Sequence, residues 1–143
     1  MNNLPPLTRD QRKVDADHLK LLAIFHFIGA GLAVAGMLFL FVHYSFMHQL
    51  IDNQKAWAGQ KGAPPPAEIF GFLRWFYLAF GAWCVVSLLL NLISGFCLLA
   101  RKHRIFSLVV AGVNCLHIPL GTVLGAFTII VLLRDSVREL YEA

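Results

Sequence analysis

Three stretches of this chain, 21–51, 75–100 and 105–133, contain no Asp, Glu, Lys or Arg. A helix rises about 1.5 Å per residue and a bilayer's hydrocarbon core is about 30 Å thick, so about 20 apolar residues make one crossing. Each stretch exceeds that length. The rest of the composition leaves little alternative. Charged residues form 14% of the 143 and apolar residues 58%, whereas a soluble domain carries about 25% charged residues. So little charge cannot cover a water-facing surface, and the apolar excess excludes disorder. Mean hydropathy is +0.67. The expected partner of most side chains is the lipid bilayer.

The first two stretches each read as one crossing. The third contains Ile118-Pro119-Leu120-Gly121-Thr122, which permits one kinked helix or two short antiparallel ones. Pro removes a backbone donor and Gly tolerates turn geometry, so the pair favours a break. Charge supports that choice. Arg9, Arg12, Lys13 and Lys20 precede the first crossing, Arg101, Lys102 and Arg104 follow the second, and Arg134 and Arg138 follow the third stretch. Only a hairpin puts all of them on the cytoplasmic side, as the positive-inside rule requires. The expected fold is therefore all-α: a polytopic four-transmembrane-helix bundle with N and C termini cytoplasmic. Its parts are a cytoplasmic segment 1–20, crossing 21–47, outer loop 48–69, crossings 70–100, 104–118 and 120–134, and a tail 135–143. Each half of the hairpin has about 14 residues, roughly 21 Å, so Arg101, Lys102, Arg104 and Arg134 must snorkel to reach the headgroups.

The net charge of +4 comes from cations beside apolar runs rather than from a polar face, which excludes a nucleic-acid partner. Cys84, Cys97 and Cys115 lie inside apolar runs without a CxxC pair and read as small buried residues. The polar first 20 residues do not read as a cleavable signal peptide. The outer loop holds Lys55, Lys61 and a stiff Pro64-Pro65-Pro66. Phe70, Phe72, Trp75, Phe76 and Tyr77 form an interfacial aromatic belt.

Lipid provides no hydrophobic drive for helix association, so small and polar residues must hold the helices together. His26, Gly29, Ala33, Gly36, Leu40 and His43 recur at spacings of 3 and 4, forming one stripe on the first helix. Gly121-x-x-x-Gly125 opens the fourth helix, and Cys84, Ser87, Asn91 and Ser94 form a polar stripe on the second. These surfaces serve packing within the chain or self-association. Asn91 precedes Arg101 by ten residues and Asn114 follows Arg104 by ten. In an antiparallel pair both amides lie about 15 Å from the loop, level with each other, and are expected to exchange hydrogen bonds. A polar pore lining is the functional alternative.

Chemistry is sparse. No carboxylate lies inside a crossing, which argues against a proton-coupled antiporter. No nucleophile–base–acid set and no phosphate-binding glycine loop can be assembled, so no enzyme is expected. The histidines are the remaining signal. His18 and His103 lie at the inner interface. His26 and His117 differ by about 10 Å in depth and cannot share an iron, whereas His43 and His117 can serve as ligands of a haem b. No third residue supports a metal site. His26, within the bilayer, is a packing residue or a pH-responsive one, since histidine titrates near neutrality.

The run His18-Leu19-Lys20-Leu21-Leu22-Ala23-Ile24-Phe25-His26, followed by Ala30-Gly31-Leu32, resembles the opening of a family of small bacterial four-pass inner-membrane proteins. The segment from Ile118-Pro119-Leu120-Gly121-Thr122 through Gly125-Ala126-Phe127-Thr128-Ile129 to Arg134 is similar to that family's closing hairpin. The resemblance covers about 45 residues. It implies a multi-pass protein of the bacterial inner membrane, and no activity or site residue. Together these readings point to a non-enzymatic membrane protein acting through helix packing, as a homo-oligomer or an accessory subunit of a membrane complex. The alternatives are a small oligomeric channel lined by Ser87, Asn91 and Ser94, and a haem- or quinone-holding electron-transfer anchor.

Overall fold

The computed structural model describes residues 7–61 and 67–142, with side chains for 11–53 and 71–141. Every regular element among the described residues is a helix: α1 (Leu7–Lys61), α2 (Ala67–Ala100), α3 (Arg104–Asn114), α4 (Leu120–Leu132) and α5 (Asp135–Glu142). The chain forms two units. One comprises Met1–Ala30 and Leu89–Ala143, the other Gly31–Leu88. Two helical segments are long and apolar enough to cross a membrane, Gln11–Asn53 and Gly71–Ala100. α4 and α5 meet at 79° and qualify together as a third, broken span, while α3 is apolar but shorter.

The distribution of side chains matches an apolar solvent. Phe41 is 70% exposed, and Phe72 and Trp75 are 72% exposed, yet Asp15, His26, Ser94, Ser107 and Thr128 are fully buried. A water-soluble protein shows the reverse.

Several boundaries differ from the sequence-based expectation, and α2 already begins at Ala67 and α4 already ends at Leu132. The first helix does not stop at 47 but runs to Lys61. The polar residues from His48 onward include helix formers and no proline before 64. His48 Nδ1 meets Asp52 2.9 Å away, one turn on. The Pro64-Pro65-Pro66 run lies outside the described residues, as do the side chains of Lys55, Lys61 and Phe70. The third helix ends at Asn114 rather than 118, and the tail from Asp135 is helical.

The third apolar stretch is an antiparallel hairpin. A Cβ at Gly121 would lie 2.5 Å from the Asn114 carbonyl oxygen, and one at Gly125 would overlap the Ala111 carbonyl oxygen. Backbone therefore meets backbone at both positions, which only glycine permits. The turn is knitted internally: His117 N–H donates to Asn114 O (2.9 Å), Gly121 N–H to His117 O (2.7 Å), and Thr122 Oγ1 to Cys115 O (2.8 Å). At the open end, Arg104 Nε donates to Leu132 O at 2.7 Å. A cation thus satisfies one of the carbonyls left over at the end of α4, where the helix dipole is negative.

That same end carries the apolar core of the first unit. Leu19, Leu22 and Ala23 of α1, Leu98 of α2, Val131 and Leu132 of α4 and Val137 of α5 form one buried cluster. Asp15 is fully buried, with Oδ1 3.5 Å from Arg134 Nη1. Arg12 and Glu139 pair at 3.5 Å with both side chains about two-thirds exposed, an arrangement that contributes about 0–1 kcal/mol.

Gly125→Leu is expected to lower unfolding stability in detergent by several kcal/mol, about 3 or more, because the added carbons have nowhere to go. Gly112→Ala, where a Cβ meets nothing within 4 Å, is expected to leave stability unchanged or raise it by up to about 1 kcal/mol. Thermal unfolding of both variants checks the hairpin contact.

Candidate functional site

The candidate site is the buried polar interior of the two units. Its residues fall on stripes spaced by 3 and 4 that turn one face of α1 and one face of α2 inward. On α1 the stripe starts further upstream than the small residues suggest: Asp15, Leu19, Leu22 and His26 are all buried. On α2 the buried positions are Cys84, Ser87, Asn91, Ser94 and Leu98.

In the first unit the two amides meet. Asn91 Nδ2 donates to Asn114 Oδ1 (3.1 Å) and Asn114 Nδ2 donates to Asn91 Oδ1 (2.8 Å). Both residues are 4% exposed. This is the reciprocal pair that the depth arithmetic predicts. Gly29 lies against it, for a Cβ there would sit 3.4 Å from Asn91 Oδ1. A larger residue at 29 would push the amide aside. Phe27 packs edge-on against Phe96, with centroids 5.1 Å apart, and covers Gly95. His26 donates from Nδ1 to the Leu22 carbonyl at 2.9 Å. That bond fixes the tautomer, and Nε2 is then a buried acceptor without a partner among the described residues. Ser94 and Ser107 also bury hydroxyls without a partner among those residues, while Thr128 back-bonds to Leu124 O at 2.7 Å.

In the second unit Gly36 lies 3.4 Å (as Cβ) from Cys84 Sγ. Ala33 is half-buried on the same stripe. His43 Nδ1 is hydrogen-bonded to Tyr77 Oη at 2.6 Å and its ring stacks on Phe39. Tyr77 also meets Tyr44 edge-on at 5.3 Å. The aromatic belt read from the sequence is thus tied to α1 through Tyr77. The facing positions are 29 with 91 in the first unit, and 36 with 84 and 43 with 77 in the second. With Phe27 against Gly95 as a second pair in the first unit, the numbers in each unit rise on one helix as they fall on the other, the mark of an antiparallel register.

His117 lies in the α3–α4 turn, in the first unit, and His43 lies in the second. Among the described residues no group of three His, Cys, Asp or Glu side chains could hold a metal ion. Arrangements of this kind can fix helices at a depth and a rotation. Asn91 and Asn114 use amide groups on each other rather than on a lumen.

Three participants escape a reading of the sequence alone. Asp15 is legible only as the next position of the α1 stripe, three turns before His26. Tyr77 reads as part of the belt, and no local signal names it as the partner of His43. The Arg104–Leu132 bond carries no signal beyond a cation at a hairpin end. Tyr141, in α5, packs on the core cluster with its hydroxyl shielded and without a hydrogen-bond partner among the described residues. Burial, with Cys97 adding, pushes this phenol up to about 12 against the opposing pull of Arg104 and Arg101.

The sequence matches no family model, no curated protein and no solved structure.

A double-mutant cycle of Asn91→Leu and Asn114→Leu is expected to give a coupling energy of about 0.6–2 kcal/mol. Additive effects would mean that the two amides do not act as a pair. Tyr141 gives a pH dependence of definite sign. Its folded-state pKa lies above the ordinary 10, so its contribution is intact below pH 10 and is lost as pH rises toward 12. The difference in melting temperature between the protein and Tyr141→Phe should therefore be flat up to pH 10 and change between 10 and 12, with the native protein losing more.

Proposed function

We propose that this chain is a non-enzymatic integral protein of the bacterial inner membrane that works by helix packing, as a homo-oligomer or as an accessory subunit of a membrane complex. The carrying observation is the reciprocal Asn91–Asn114 pair with Gly29 closed against it. Intramembrane amides spent on each other build a scaffold and leave no reactive face. Gly125 and Gly36 are also used inside the chain, against α3 and against Cys84. The outward surface consists of large apolar side chains such as Phe39, Phe41 and Phe72, which suit lipid and flat contacts with other membrane proteins. The bacterial inner-membrane assignment rests on the resemblance of the opening and closing segments.

The topology we infer has both termini cytoplasmic. α1 and α2 cross, and the α3–α4 hairpin enters and leaves by one face, giving an even number of passes in a four-helix arrangement. The convergence of Arg12, Arg104 and Arg134 with their partners at one end of the first unit supports this reading, since cations gather on the cytoplasmic side.

One preparation tests the function. Native mass spectrometry in mild detergent is expected to show an integer multiple of the 16.0 kDa protomer or a stoichiometric complex with another membrane protein. A bare monomer across detergents would count against it. An intense Soret band in the same sample would replace it with the haem reading at His43 and His117.

A further inference from the structure

The short connection between α2 and α3 is built unusually. α2 ends in a Schellman arrangement, in which Lys102 N–H donates to Cys97 O (3.0 Å) and Arg101 N–H to Leu98 O (3.4 Å). The left-handed position of that motif normally belongs to glycine, yet here Arg101 occupies it with φ 51°, and His103 follows with φ 53°. Two side-chain-bearing residues hold a conformation that sterics disfavour. Beside this connection lies an open surface cavity of about 590 Å³ whose lining includes Arg101, Lys102, Arg104, Ile105, Arg138 and Tyr141. Four cations border it, and no carboxylate lines it among the described residues. Arg104 is anchored there by its Nε bond to Leu132 O. α3 begins at the cavity, its N-cap His103 makes no side-chain cap bond, and the first amides of a helix have no carbonyl partner within it. Tyr141 also lines the cavity, with its hydroxyl turned into the protein and shielded from solvent.

We infer that this cavity binds a phosphate group, and that in the membrane the group is the headgroup of an anionic phospholipid. Guanidinium groups fit phosphate oxygens with paired donors, and helix N-termini favour anions. An exposed apolar lining residue favours a lipid over a free ion, for Ile105 is 78% exposed beside the cations. A headgroup held at the basic end places its acyl chains along such a surface. The inference rests on the topology proposed above, which sets this end at the cytoplasmic interface.

The test uses the full chain, reconstituted in nanodiscs and compared in detergent by native mass spectrometry and thermal shift. The probes are phosphatidylglycerol, phosphatidylcholine and inorganic phosphate. Retention of phosphatidylglycerol but not phosphatidylcholine supports the proposal, with about tenfold weaker binding in Arg101→Gly and in Arg138→Gln. Arg101→Gly is the key variant. Glycine suits φ 51°, so the loop keeps its shape while the charge is lost. Lys20→Gln, altering an exposed cation paired with Asp17, should bind as the native protein does. Stabilisation by inorganic phosphate equal to that by the lipid supports the phosphate site and assigns it to a soluble ligand. Equal retention of both lipids without a response to phosphate, or undiminished binding by both cavity variants, overturns the site. Failure of the chain to enter nanodiscs overturns the membrane reading and the site with it.

Discussion

Hydrocarbon cannot hydrogen-bond, so a polar atom placed in it must find its partner within the protein. The Asn91–Asn114 exchange is the plainest case of that constraint. Two amides, each costly alone, satisfy one another at 2.8 and 3.1 Å and in doing so fix the rotation of α2 against α3. Gly29 lies close by, where a Cβ would stand in van der Waals contact with Asn91 Oδ1 at 3.4 Å. His26 obeys the rule with one nitrogen, which bonds to the carbonyl a turn earlier. The leucines around these groups add little drive of their own in lipid, where association depends on close contact and polar pairing.

At the basic end of the first unit the contacts change character. There the chain spends charge on closure. Arg104 caps α4, Arg134 faces the buried Asp15, and the exposed Arg12–Glu139 pair adds little. The core cluster of Leu19, Leu22, Leu98, Leu132 and Val137 lies under these contacts. The apolar contacts joining α1, α2, α4 and α5 are therefore concentrated where the sequence puts its cations.

Much of this is legible in the residues themselves. Charge-free runs mark the helices because no short-range signal competes with hydropathy in lipid. The hairpin is written in Pro119-Leu120-Gly121 and in the cations at both its ends, and the amide pair in equal distances to one loop. What escapes has a common cause. Helix ends in this chain are set by contacts rather than by local sequence: α3 stops at Asn114 because the turn folds back through His117 and Thr122, and α1 continues past 47 because nothing from His48 onward interrupts it. Asp15 is hidden by its own charge, which suggests a solvated tail until the spacing of Leu19, Leu22 and His26 is extended backward. Tyr77 is hidden because its partner His43 is far away in sequence.

The α3–α4 hairpin is shorter than a bilayer's hydrocarbon slab is thick. α3 has 11 residues and α4 has 13, or roughly 16 and 20 Å, well under the ~30 Å of a hydrocarbon slab. With the hairpin entering and leaving by one face, as proposed, its bend would be set in the oily middle of a leaflet pair, or else the leaflets would dimple inward to meet it. In the first case the bonds inside the bend are what make irregular backbone tolerable at that depth. In the second, the surrounding lipid is permanently thinned, and neighbours of similarly short girth would gather beside it.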